Sequence, residues 1–137
     1  MIDTKDTPEL IQFSSGLRLM YLNRPFDAVE YFGVVVDAGS RDDSDDCHGI
    51  AHFVEHTLFK GTKRRKSCHI INRMESCGGE LNAFTTKEST TIYSVFPSGN
   101  LDRAVDLIGD LVINSQFPDK ELDKERGVII EEINMTE

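Results

Sequence analysis

The chain has 137 residues, 39% hydrophobic and 28% charged, with a formal net charge of -9. That length suits one domain with a real core, and the composition excludes a disordered chain. The acidic balance argues against a nucleic-acid partner, which needs a basic face, and no run of about 18 apolar residues is present to span a membrane.

The first ten residues, MIDTKDTPEL, carry neither a basic segment followed by an apolar one nor an Arg-rich transit pattern. Residues 9–14 and 17–23 read as a hairpin turning at Ser15-Gly16. Residues 28–36, AVEYFGVVV, end in a β-branched run expected to be a buried strand. A polar loop follows, DAGSRDDSDDCHG. Its Asp42, Asp43, Asp45 and Asp46 do not fit the spacing of a calcium loop, and acidic groups at this place can cap the next helix.

That helix is expected over 49–60, with Gly61 as its C-cap. The basic run KRRK, residues 63–66, reads as a solvated loop. Ser67 can cap a second helix reaching Ser76, which Gly78-Gly79 ends. Residues 80–85 and 89–96 alternate in polarity and form a second hairpin. Residues 100–114 are amphipathic through Leu101, Ala104, Val105, Ile108, Leu111 and Val112. A last helix begins near 119 and reaches the end without a stop signal, so the chain is expected to be the beginning of a longer one. The fold class is α+β: a mostly antiparallel sheet built from hairpins, with helices packed on one side.

Three cysteines, Cys47, Cys68 and Cys77, make an odd count with no C-x-x-C spacing. They point to free thiols in a reducing compartment, and with the absent signal they give a cytoplasmic expectation.

The chemistry-bearing stretch is HGIAHFVEH. Its His52, Glu55 and His56 form H-x-x-E-H, and on a helix such spacings project the side chains together. Two neutral imidazoles one turn apart can bind one zinc ion, with Glu55 beside a metal-bound water, if a further ligand arrives. The same spacing also describes a polar stripe on a helix, and both readings stay open at this point. In the last helix, Val128, Ile129, Ile133 and Leu122 define an inward direction, at about 100° per residue. Glu132 borders that face while Glu131 points nearly opposite, so Glu132 is the chosen third ligand. Glu125 could orient a ligand histidine.

The stretches GIAHFVEHTLFKGT, GGELNAFTTKESTTIY and ERGVIIEEI, in this order, resemble the pitrilysin and insulinase family of inverzincin metallopeptidases. That family includes processing peptidases. The resemblance runs from about residue 9 to the end. It implies a zinc-dependent endopeptidase in which His52, His56 and Glu132 hold Zn2+, Glu55 is the general base and Glu125 supports the catalytic site. It further implies that Asn82, Ala83 and Phe84 belong to an edge strand pairing with extended peptide substrates. Family enzymes enclose substrate between two large halves. Residues 1–137 then represent the N-terminal part of a catalytic domain, weakly active or inactive without its second half or a homologous subunit. The competing expectation is a non-catalytic, peptide-binding or partner-subunit domain of the same family.

Overall fold

A computed structural model describes residues 7–136; the first six residues of the N-terminal stretch read above for targeting lie outside it, as does Glu137. In chain order the elements are β1 (Glu9–Gln12), β2 (Arg18–Tyr21), β3 (Val29–Val36), α1 (Ile50–Thr57) with a short 3-10 turn (Leu58–Lys60), α2 (Ser67–Glu75), β4 (Glu80–Thr85), β5 (Thr90–Pro97), α3 (Leu101–Asn114) and α4 (Asp119–Thr136). The class is α+β, and all strand pairings are antiparallel.

β5 is the middle of a three-stranded sheet ordered β3-β5-β4, and β1 and β2 form a separate hairpin. The alternation of TTIYSVFP sends Ile92, Ser94 and Phe96 to one face, where all three are buried. In register with them lie Phe32 and Val34 of β3 and Leu81 and Ala83 of β4. Helices α2 and α3 cover this face with Ile70, Met74, Ala104, Leu107, Ile108 and Leu111, and Leu58 completes the core. Each of these side chains other than that of Ala104 contributes about 1.5–3 kcal/mol by leaving water. Buried Ser94 remains satisfied because its hydroxyl donates to the Glu80 carbonyl at 2.6 Å.

Three expectations change. β3 is not buried: it is an edge strand whose outer face leaves Tyr31 and Val35 largely exposed. The middle position, and with it the buried alternation, belongs to β5. Ser67 does not cap α2; Lys66 occupies the N-cap, without a side-chain cap. The basic run is not merely solvated. Arg65 is mostly buried and pairs with both Asp106 and Asp110 of α3, while Arg64 reaches Asp106 at 3.2 Å. Asp110 also accepts from Thr62 at 2.7 Å and Asn114 at 2.9 Å. The loop after α1 is thereby clamped to α3.

Burial pushes the Asp110 carboxyl up, but the hydrogen bonds from Thr62, Arg65 and Asn114, with the Arg65 charge, outweigh it and hold its pKa below the usual value.

Candidate metal centre

The entry into α1 is fixed from both sides. Gly39 lies so close to the β4–β5 turn that an added Cβ would sit 2.5 Å from the Thr86 carbonyl oxygen. Gly49, at the N-cap of α1, takes φ 86°, a left-handed conformation that favours glycine. A glycine offers no capping side chain, and Asp43 supplies one from the preceding loop. Its carboxylate accepts the N–H of Gly49 at 2.7 Å and of Ala51 at 3.1 Å.

Helical spacing then places His52 and His56 on one face. Their rings meet edge to face with centroids 4.6 Å apart, and the two Nε2 atoms are separated by 3.1 Å. α4 lies across this face. Glu132 Oε2 is 3.5 Å from His56 Nε2, and the donor atoms of His52, His56 and Glu132 all lie within 4.8 Å of one another. Two ligands on a tetrahedral zinc, each at about 2.0–2.1 Å, stand about 3.3 Å apart. The imidazole nitrogens are therefore close to the required separation. Two imidazole nitrogens and one carboxylate oxygen make a donor set suited to Zn2+, with a further position left open.

Glu125 approaches the opposite side of the same ring, with Oε2 3.4 Å from His56 Nδ1. Its other oxygen pairs with Lys60 Nζ. The Glu125 side chain is only 12% exposed, against 48% for Glu132. Between Leu122 and Ile133 the partly buried residues are Leu122, Glu125 and Ile129, whereas Val128 and Ile133 are exposed. With Glu132, they form one stripe at helical spacing. Both glutamates thus belong to the face turned towards α1, and an inward direction drawn from apolar residues alone was tilted away from it. The Lys60–Glu125 pair was not anticipated from the sequence. Its visible signal is the spacing of Lys60, one turn beyond His56.

Glu55 is not one of the gathered donors. It is half-buried on the flank of α1, lining a largely apolar cavity of about 560 Å³ with Ile50, Val54, Leu58 and Phe117. Among the described residues its carboxylate has no hydrogen bond or ion pair. A second cavity, about 380 Å³, lies between His56 and β4 and is lined by Phe59, Lys60, Leu81 and Asn82.

β4 is the other edge of the sheet. Its hairpin closes through the Thr86 N–H donating to Ser89 O at 2.8 Å. Antiparallel alternation then points the backbone groups of Glu80, Asn82 and Phe84 at β5, and those of Leu81, Ala83 and Thr85 outwards. The Ala83 side chain packs on the core, Asn82 is exposed, and Phe84 is half-exposed against Tyr93 with centroids 6.0 Å apart.

Among the described residues, no helix is long and apolar enough to cross a membrane. The chain is 43% identical over 123 residues to a probable mitochondrial-processing peptidase subunit beta of Arabidopsis thaliana, a match covering 90% of this chain and 23% of that protein. It is 39% identical over 122 residues to an uncharacterized zinc protease of Streptomyces coelicolor, covering 89% of this chain and 27% of the relative. The chain thus spans about a quarter of the length of these curated relatives. The crystal structure of pitrilysin shares the fold, with a TM-score of 0.87 over 98% of this chain and 14% of pitrilysin at 24% identity. The family model described as insulinase, peptidase family M16, matches residues 18–137, and the chain belongs to that family.

Proposed function

We propose that this chain is the N-terminal part of the catalytic domain of a zinc-dependent endopeptidase. The observation that carries this reading is the convergence of His52, His56 and Glu132 from two helices onto one point. Zinc held there supplies a positive charge that polarises the scissile carbonyl and acidifies water. Glu55 accepts the proton of the attacking water and returns it to the leaving amine. Glu125 takes the Nδ1–H of His56 and keeps its Nε2 turned to the donor cluster.

An extended peptide adds to the free edge of β4, hydrogen-bonding to the outward N–H and C=O of Ala83, with the exposed side chains of Asn82 and Phe84 beside it. A second half or a homologous subunit closes over the peptide, and this segment alone is weakly active or inactive. The Arabidopsis relative is named as a subunit, so a second reading is a subunit that binds peptide and leaves the cutting to its partner. The intact donor set weighs against it. Three free cysteines support a reducing, cytoplasmic setting.

The test is Glu55→Gln in the full-length protein, assayed on a fluorogenic peptide with and without a chelator. Retained zinc with lost cleavage is expected; undiminished turnover would sink the role of Glu55. A wild-type protein that holds peptide but never cuts it would favour the partner subunit.

A further inference from the structure

The composition of β3 contradicts its position. Its residues, VEYFGVVV, include no proline and, beyond Glu30, no charge. Near-continuous apolar, β-branched runs belong to strands with a neighbour on each side. Yet β3 is an edge of the sheet. Natural edges are blunted by shortness, bulges, proline or lysine, and β3 pairs with β5 over eight residues in unbroken register with none of these. The opposite edge, β4, is shorter and carries Glu80, Asn82 and Thr85.

The Ser98 N–H donates to the Ala28 carbonyl at 2.9 Å, which sets the hydrogen-bonding phase of the β3–β5 pair. Backbone groups of Glu30, Phe32, Val34 and Val36 therefore face β5, and those of Tyr31, Gly33 and Val35 face away from it. Among the described residues, no backbone group pairs with these three.

The core is open at the same edge. Leu58, Ile92 and Leu111 belong to the buried core, yet they also line the apolar cavity of about 560 Å³, with Val36 of β3 and Val112 and Ile113 of α3. Ile113 is 78% exposed. A close-packed interior does not leave a void of this size beside its central residues. A strand laid along β3 sends alternate side chains to the helix side, over Val36, Val112 and Ile113. One added element thus satisfies the free backbone groups and closes the core. The chain spans about a quarter of the length of its curated relatives, so most of such a protein lies outside it.

We infer that β3 is an interior strand of the complete sheet: a strand from the part of the full-length protein that follows residue 137 pairs with Tyr31, Gly33 and Val35, and its apolar side covers Val112 and Ile113. This rests on the reading of the chain as the N-terminal part of a longer one, and not on zinc. The sheet then grows structurally at β3 and leaves its polar edge, β4, free.

The experiment uses the full-length protein. Hydrogen exchange resolved to single amides compares Tyr31, Gly33 and Val35 with Phe32 and Val34, which already donate to β5. Protection of the first set within about tenfold of the second is expected, and protection about a hundredfold weaker overturns the inference. A benzophenone amino acid in place of Val35 then identifies the neighbour by photo-cross-linking and mass spectrometry. A cross-link to the same chain beyond residue 137 is expected; one to the β1–β2 hairpin, or to a second copy with a doubled mass, overturns the inference. Ile113→Lys should lower the thermal midpoint by several degrees, and an unchanged midpoint overturns the covering of α3. Should that variant fail to fold, exchange and cross-linking still decide, since both keep Ile113. A natural protein whose intact mass ends at residue 137 overturns the longer-chain reading itself, whereas rapid exchange of β3 in a longer protein overturns the pairing alone.

Discussion

Asp43 reaches eight positions along the chain to accept the Ala51 N–H at 3.1 Å, directly before the ligand candidate His52. It also accepts the Gly49 N–H, so one carboxylate satisfies two donors at the helix start. Asp43→Ala should cost about 1 kcal/mol of stability, with part recovered in Asp43→Asn. Chemical denaturation measures both, and an Asp43→Ala protein as stable as wild type would deny Asp43 the capping role.

The Asp110 cluster predicts a larger loss. Asp110→Asn leaves the mostly buried Arg65 with Asp106 as its remaining charged partner, so the loss is that of charge-assisted hydrogen bonding, about 1.5–3 kcal/mol. Urea unfolding at neutral pH tests this.

The same carboxyl predicts a pH dependence. Its folded pKa lies below the ordinary 3.8, so between the two values the unfolded chain binds more protons. Stability from this group is present above 3.8 and is lost as pH falls through the folded pKa. Asp110→Asn should flatten that acid limb, and a limb of unchanged steepness would assign it to other carboxylates.

Zinc should stabilise the folded chain by mass action, by about 2.7 kcal/mol at a free concentration one hundred times the dissociation constant. The thermal midpoint should rise with added zinc and return on chelation. The shift should vanish in His52→Ala and in Glu132→Gln. A shift that survives both would locate the binding elsewhere.

For the β4 edge, Ala83→Pro removes one outward N–H without touching the bonds to β5, a position where proline is tolerated. Cleavage by the full-length protein should fall about tenfold in kcat/KM, mainly through KM, while far-ultraviolet circular dichroism stays the same. Unaltered kcat/KM would remove Ala83 from substrate binding.

The elements most legible in the sequence were those with local causes. The β4–β5 hairpin and α3 followed from alternation and helical spacing, and the donor pair His52 and His56 from the turn of one helix. Burial was less legible, because Tyr31 and Val35 look like core residues while their exposure depends on what lies over the outer face of β3. Leu107 is fully buried although it was left out of the apolar stripe of α3. The Arg65 pairs with Asp106 and Asp110 join residues more than 40 positions apart, and no local pattern announces such a contact. Glu132 was chosen from an apolar direction, whereas the stripe that carries it is half polar because it turns towards histidines.

The donors sit on α1 and α4, near the middle and the end of this chain, and neither helix alone supplies more than two of them. A ribosome that has finished α1 has therefore made a helix with two histidines and no third protein ligand. Only after Glu132 has emerged and α4 has docked can the centre be assembled. Under the peptidase reading, the order of synthesis withholds the capacity to cut until the part of the domain that holds the metal has been folded.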